Sequence, residues 1–388
     1  MRATHLSLAD FRNYQAAEVG FAPGPNLVVG RNGQGKTNLV EALGYLSTLG
    51  SHRVSNDKAL IRADREAAII RARVEFNSRE ILAEVQINRA TPNRAQVNRS
   101  AVKVRELPRY FSSVLFAPED LSLIRGDPSG RRRFIDQLLV LRNPRISAVL
   151  ADYDRVLKQR NTLLKSARAS RVAANALTTL DIWDERLVEI GSQIIDERAR
   201  LVALLADPLR EAYQSVAGDD HVPVLQSSLS ILGESDGDDD GAGATTEPAS
   251  VGRSASGRPT ADVFREALAE LRPRELERGL TLVGPHRDDI VFRLNSLPAK
   301  GYASHGETWS FALALKLASA QLLRRDSVSG DPVLILDDVF AELDQARRAR
   351  LADAVTGFEQ VIITAAVLED IPEALAAHII HISAGAVV

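Results

Sequence analysis

Eight residues near the start of the chain have the types and the spacing to grip a chain of phosphates. Gly30-Arg31-Asn32-Gly33-Gln34-Gly35-Lys36-Thr37 fits G-x-x-x-x-G-K-[ST] at every fixed position. Glycines at these places let a loop fold its backbone N–H groups around an anion, and a following helix adds the positive end of its dipole. In such a loop Lys36 bridges the β- and γ-phosphates and the Thr37 hydroxyl ligates magnesium. The flanks fit: Asn26-Leu27-Val28-Val29 reads as an apolar strand, and Leu39, Val40, Leu43 and Leu46 fall on one face of a helix. The ligand this pattern implies is a nucleoside triphosphate with Mg2+, most simply ATP.

A second chemical group lies far down the chain. Val333-Leu334-Ile335-Leu336-Asp337-Asp338 is an apolar run ending in two carboxylates. Many strands end this way, so the run gains meaning from the phosphate loop. Asp337 then reaches the magnesium ion, directly or through water, and Asp338 orients or deprotonates the attacking water. Ser304-His305-Gly306-Glu307 opens a helix continued by Phe311, Leu313, Leu315 and Leu317. It has the form S-x-G-[QE], in which a serine hydroxyl and a helix N-terminus face a phosphate held by a second subunit. The same residues also read as a capping box, with Ser304 as N-cap and Glu307 at N3; both readings can hold at once. Ala341-Glu342-Leu343-Asp344 follows at the spacing of a D-loop. Most of the chain separates Lys36 from Asp337, a layout foreign to transporter cassettes and GTPases and typical of heads split by a helical insertion.

The elements that must position these groups can be read in outline. Strands are expected at 67–76, 81–88 and 95–104, the last two forming a hairpin about Thr91-Pro92-Asn93, with a weaker turn signal at Asn98-Arg99. Asn143-Pro144 reads as the start of a helix whose face carries Ile146, Val149, Leu150, Tyr153, Val156, Leu157 and Leu164. A second helix carries Trp183, Leu187, Ile190, Ile194, Leu201 and Leu205, so the pair reads as an antiparallel helical arm. Residues 233–259 include Glu234-Ser235-Asp236-Gly237-Asp238-Asp239-Asp240 and few apolar side chains, and are expected to form an acidic disordered loop. A helix resumes near Ala261, and 333–336 and 360–364 read as buried parallel strands. The expected organisation is an ATPase head, 1–135 and 281–388, split by a helical arm at 136–280.

Composition narrows the classes. A length of 388 residues suits two domains. The chain has no cysteine, which removes disulfides, cysteine zinc sites and thiol nucleophiles and suits a reducing, cytoplasmic setting. No run approaches the roughly 18 apolar residues of a membrane span, so no membrane partner is expected. The net charge of −3 does not mark a constitutively basic DNA binder.

Longer motifs carry a resemblance. Leu8-Ala9-Asp10-Phe11-Arg12-Asn13-Tyr14, Phe116-Ala117-Pro118-Glu119-Asp120-Leu121, the stretch from Gly126-Asp127-Pro128 through Arg131-Arg132-Arg133 to Asp136, Gly284-Pro285-His286-Arg287-Asp288-Asp289, and Leu336-Asp337-Asp338 through Asp344 appear in one order. Together they resemble the RecF family over nearly the whole chain. The resemblance implies an α/β fold, a P-loop ATPase head of the ABC/SMC type with a mixed sheet in two lobes and an inserted α-helical arm. It implies an ATP-dependent homodimer, each site pairing one protomer's phosphate loop with the other's Ser304, Gly306 and Glu307. Such dimers bind double-stranded DNA beside gaps, at single-strand/double-strand junctions, and help RecO and RecR load RecA. Their slow ATP turnover, with Asp338 and Lys36 as the catalytic pair, serves as a switch.

Three features depart from the wider ABC pattern: Asp338 stands where glutamate is usual, Ala365-Ala366 follow Thr364 without a switch histidine, and no glutamine lies near Pro118-Glu119. Candidate phosphate contacts to DNA are Arg131, Arg132 and Arg133, then Arg89, Arg94, Arg99 and Arg105 of the hairpin, and Arg155 and Lys158 of the arm. Arg131–Arg133 sit at a helix start and could equally serve the nucleotide or a dimer interface. Arg12 and Asn13 either approach the nucleotide or face water while Phe11 and Tyr14 pack inside. Outside this family, an ABC-type subunit of another complex and a small-molecule kinase share the phosphate loop.

Overall fold

The computed structural model describes residues 1–170, 178–218, 221–233, 257–327 and 330–388. The acidic run Glu234–Asp240, expected to be disordered, lies outside the described residues. The chain divides into two compact units, one of residues 1–124, 207–222 and 303–388, the other of 125–206 and 223–302.

The first unit begins with β1 (Arg2–Phe11), β2 (Tyr14–Gly20), β3 (Gly24–Val29), α1 (Lys36–Thr48), β4 (Ala67–Phe76), β5 (Arg79–Asn88), β6 (Arg94–Val97), β7 (Ser100–Val102) and β8 (Ser113–Phe116). An antiparallel sheet runs in the order β2-β1-β4-β5-β6-β7. Its strands alternate as one-sided sheets do: Ala68, Ile70, Ala72 and Val74 of β4 face inward with Ala83, Val85 and Ile87 of β5. Residues 95–104, expected as one strand, are two. Asn98 and Arg99 adopt φ of 49° and 66°, the left-handed pair of a two-residue hairpin turn. The Asn98 side chain accepts a hydrogen bond from the Leu82 N–H.

In the second unit come α3 (Pro128–Arg142), reached through the short α2 (Leu121–Arg125), then α4 (Ile146–Ser170), most of α5 (Thr178–Ala217), β9 (Pro223–Ser228), α6 (Thr260–Arg278), β10 (Asp289–Leu294), β11 (Leu297–Pro298) and the short segment α7 (Ala299–Tyr302), kinked at Lys300 and Gly301. Tyr153, Val156, Leu187, Ile190, Ile194, Phe264 and Leu268 form the apolar core among α4, α5 and α6. Arg160 is fully buried there and binds Asp184 at 2.6 Å, Glu275 at 2.6 Å and Thr281 at 2.8 Å. Two differences from the sequence reading arise here. The unit is not purely helical, because β10 pairs antiparallel with β9, in the order β11-β10-β9. That pairing also puts 281–302 with the helices instead of the head. Asn143 closes α3, its N–H bonding to Leu139 O, and α4 starts at Ile146.

The chain returns to the first unit with α8 (His305–Asp326), β12 (Val333–Asp337), α9 (Gln345–Thr356), β13 (Gln360–Ala365), β14 (His378–Ser383) and β15 (Ala386–Val387). The second sheet runs β15-β14-β3-β13-β12-β8 and is parallel from β14 to β8. Leu334, Ile335, Leu336, Val361, Ile362 and Ile363 have no exposure, the continuous apolar run expected of strands covered on both faces. Register aligns the strand tips: Asp337 is opposite Thr364, and Thr364 is opposite Val28, just before the glycine loop. Open parallel sheets bind ligands at such carboxyl ends.

Candidate nucleotide site

The glycines of the loop have three separate reasons to be there. Gly33 and Gly35 hold φ of 80° and 115°, a region side chains disfavour. A Cβ on Gly35 would also come within 2.7 Å of Asn13 Nδ2 and 2.9 Å of the Tyr14 hydroxyl. A Cβ on Gly30 would collide with the Ile382 carbonyl oxygen. The loop is braced from two sides. Asn13 Nδ2 donates to Gln34 O at 3.1 Å and Tyr14 Oη donates to Gly35 O at 3.0 Å. From the β14–β15 turn, Gly385 N–H donates to Gln34 O at 3.1 Å and Ala384 N–H to the Gln34 side chain.

These contacts separate the two fates left open for Arg12 and Asn13. Arg12 turns to α1, where it pairs in a two-pronged contact with the buried Glu41 at 2.7 and 2.8 Å and donates to Ala59 O at 3.1 Å. Asn13 lies on the loop itself, and its Oδ1 accepts from Asn38 Nδ2 at 2.8 Å. The bracing is tertiary; in sequence its trace is the Asn13-Tyr14 pair alone.

Lys36 begins α1 and is 3% exposed; its Nζ reaches Asn32 Oδ1 at 3.5 Å. Thr37 Oγ1 donates to Asp337 Oδ1 at 3.1 Å. Thr364 Oγ1 donates to the same oxygen at 2.6 Å and accepts from the Asp338 N–H at 2.9 Å. Thr364 is the residue that sequence reading missed, a lone hydroxyl in an apolar strand. Asp338 holds φ of 49°, a strained turn for a non-glycine residue. Burial raises the Asp337 carboxyl to about 6, helped by the Asp338 and Glu119 carboxylates and opposed by the two threonine hydroxyls. Among the described residues no lysine or arginine pairs with Asp337. A buried carboxylate beside a second carboxylate and a hydroxyl is an all-oxygen donor set suited to a hard divalent cation. Thr37 and Asp337 could therefore hold magnesium. Glu119, where an ABC protein would have glutamine, contributes its charge to this same field.

The capping box at the start of α8 is present: Glu307 N–H donates to Ser304 Oγ at 3.2 Å and Ser304 N–H to Glu307 Oε2 at 2.7 Å. Asp344 caps α9, accepting from the Arg347 N–H at 2.9 Å.

The three arginines read as DNA contacts have different fates. Arg131 is buried and makes a two-pronged ion pair with Asp289 at 2.7 and 2.8 Å, plus a bond to Gly126 O at 2.8 Å; its guanidinium is engaged within the fold. Arg132 is half-buried and donates to Asp288 O at 2.6 Å. Arg133 is exposed.

A glycine loop between a parallel strand and a helix, a carboxylate at the tip of a nearby strand and a capped S-x-G-E helix define a P-loop ATPase head of the ABC/SMC type. No described helix is long and apolar enough to cross a membrane. Residues 3–383 match the family described as RecF/RecN/SMC N terminal domain, and the chain belongs to it, within its RecF branch. The protein named DNA replication and repair protein RecF of Clavibacter sepedonicus is 68% identical over 388 residues, covering 100% of this chain and 95% of that one. A solved structure of the recombination mediator protein RecF with ATP, of the RecFOR pathway, superposes with a TM-score of 0.84 at 27% identity, covering 100% of this chain and 96% of that one. The fold extends to an SMC head bound to the C-terminal winged-helix domain of ScpA, with a TM-score of 0.52 at 16% identity over 100% of this chain and 96% of that one.

Proposed function

We propose that this chain is an ATP-switched DNA-binding protein of recombinational repair and replication restart. The observation that carries the reading is the convergence of Thr37, Asp337 and Thr364 beside a braced glycine loop. The relatives named as RecF proteins of DNA replication and repair support the biological setting. Backbone N–H groups of Gly30, Arg31, Asn32, Gly33, Gln34 and Gly35, with Lys36, hold the triphosphate of ATP. Thr37 and Asp337 hold Mg2+, which when bound neutralises charge on the phosphates. Asp338, one carbon shorter than the usual glutamate, orients the attacking water, which suits slow hydrolysis.

In this reading ATP joins two copies of the chain, each site completed by Ser304, Gly306 and Glu307 of the other copy. The dimer closes on double-stranded DNA at gaps and single-strand/double-strand junctions, and helps RecO and RecR load RecA; hydrolysis opens it. Contacts to the DNA backbone are sequence-independent and salt-sensitive. Fluorescence anisotropy of a gapped duplex with ATP, ADP and no nucleotide, at two salt concentrations, tests the switch. Tighter, salt-sensitive binding with ATP is expected. Equal affinity in all three states would overturn it.

A further inference from the structure

We infer that Arg347, with the N-terminus of α8, forms the receptor for the γ-phosphate of ATP bound by a second copy of this chain. The inference rests on the ATP-dependent dimer proposed above and adds to it a residue outside the S-x-G-E motif. The carrying observation is a close approach: a Cβ on Gly306 would lie 3.0 and 3.1 Å from the two terminal nitrogens of Arg347. The guanidinium therefore lies against the first turn of α8, beside the Ser304 cap. That placement opposes the usual electrostatic preference, because helix N-termini carry partial positive charge and favour anions. Asp344 offsets part of the charge with an ion pair at 3.3 Å, and Arg347 stays 26% exposed. Glu307 is engaged with the Ser304 N–H and lies 3.4 Å from His221.

The positive end of the α8 dipole, the Ser304 hydroxyl and the Arg347 guanidinium thus converge where an incoming anion would be attracted. A terminal phosphate fits, because its oxygens accept from all three kinds of donor. The anion is supplied by another copy: among the described residues, no hydrogen bond or ion pair joins Arg347 or Ser304 to Gly30–Thr37. Arg347 also joins the D-loop residue Asp344 to the S-x-G-E turn. A side chain at Gly306 would press on the guanidinium, which would have to give by a few tenths of an ångström.

The test combines single variants with mixing. Light scattering of the wild-type chain with ATP should show a dimer, and Arg347→Ala should weaken that dimer and slow turnover by about tenfold or more, with unchanged thermal stability and unchanged ATP binding to the monomer. Arg347→Lys should recover part of the loss. Mixing Arg347→Ala with Lys36→Ala should restore about a quarter of wild-type turnover, since half the dimers are mixed and each has one complete site. Wild-type dimerisation and turnover in Arg347→Ala would overturn the inference and leave the dimer reading intact, and so would a loss that mixing does not relieve. A wild-type chain that stays monomeric with saturating ATP would overturn the dimer reading and the inference with it.

Discussion

Thr37 and Asp337 are joined by a 3.1 Å hydrogen bond although 300 residues separate them in the chain. Among the described residues no lysine or arginine pairs with Asp337, so its charge is held at an energetic cost. Folding raises its carboxyl from 3.8 to about 6, so the ionised form destabilises the fold at pH 7 by about 2–3 kcal/mol at most. Asp337→Asn is therefore expected to raise the unfolding temperature of the nucleotide-free chain. The same change should abolish the further rise that Mg-ATP gives the wild type. Thermal melts with and without Mg-ATP check both; a variant that melts lower than wild type without ligand contradicts the argument.

Asn13 and Tyr14 brace the loop through its backbone, so their loss should act on nucleotide affinity without touching the ligand. Tyr14→Phe removes the bond to Gly35 O, a buried interaction whose loss costs about 1 kcal/mol. Because the carbonyl left behind belongs to the loop, ATP affinity should fall by about fivefold. Asn13→Ala, which loses the bond to Gln34 O and the partner of Asn38, should weaken it further. Isothermal titration with a non-hydrolysable analogue measures both. Affinities equal to wild type would mean that the turn between β1 and β2 merely packs beside the loop.

The parts of the site legible in sequence are those where backbone geometry dictates residue type. Gly30, Gly33, Gly35 and Lys36 follow from how a chain wraps a phosphate, and Asp337 from an apolar strand that ends in carboxylates. Thr364 was not legible because its role depends on the register of β13 beside β12, which sets no pattern along the chain. Arg131 reads as one of three equivalent arginines, yet its partner Asp289 lies 158 positions away. The hairpin break at Asn98-Arg99 was signalled by its turn residues and carried too little weight against the flanking alternation. Strand β9 spans six residues, too few for alternation to separate a strand from a loop, so the helical unit hid its sheet. Long helices were plain because apolar spacing repeats over many turns.

His286 builds an acid-sensitive joint into the helical unit. Tyr153 Oη lies 2.8 Å from His286 Nδ1, and His286 Nε2 lies 3.3 Å from Thr281 O. The neutral ring satisfies both, accepting from the tyrosine and donating to the carbonyl. Burial, then the charges of Arg287, Arg132 and Arg160, lower its pKa from 6.5 to about 4. The stability this contributes is present above pH 6.5 and lost as pH falls toward 4, about 3 kcal/mol across the window. Urea unfolding of wild type and His286→Asn at pH 7.5, 6, 5 and 4.5 should show the gap between them closing as pH drops. Parallel profiles would rule the joint out.

Arg131 and Arg133, two positions apart, offer a direct separation of folding from DNA binding. Arg131→Ala strands the buried Asp289 without its partner, and breaking one side of a buried pair costs about 3–5 kcal/mol. That variant should unfold at markedly lower denaturant, and any DNA defect should follow from instability. Arg133 is exposed, and among the described residues it makes no ion pair. Arg133→Ala should leave the unfolding midpoint unchanged. If Arg133 meets a DNA phosphate, the variant weakens binding alike on every sequence and lowers the salt slope by about 1. Anisotropy titrations of Arg133→Ala over a range of salt, set beside urea melts of both variants, read these effects separately. An unchanged salt slope would remove Arg133 from the interface and move attention to the hairpin arginines Arg89, Arg94, Arg99 and Arg105. A stable Arg131→Ala with a full loss of DNA affinity would instead return Arg131 to the interface and require its pair with Asp289 to open on binding.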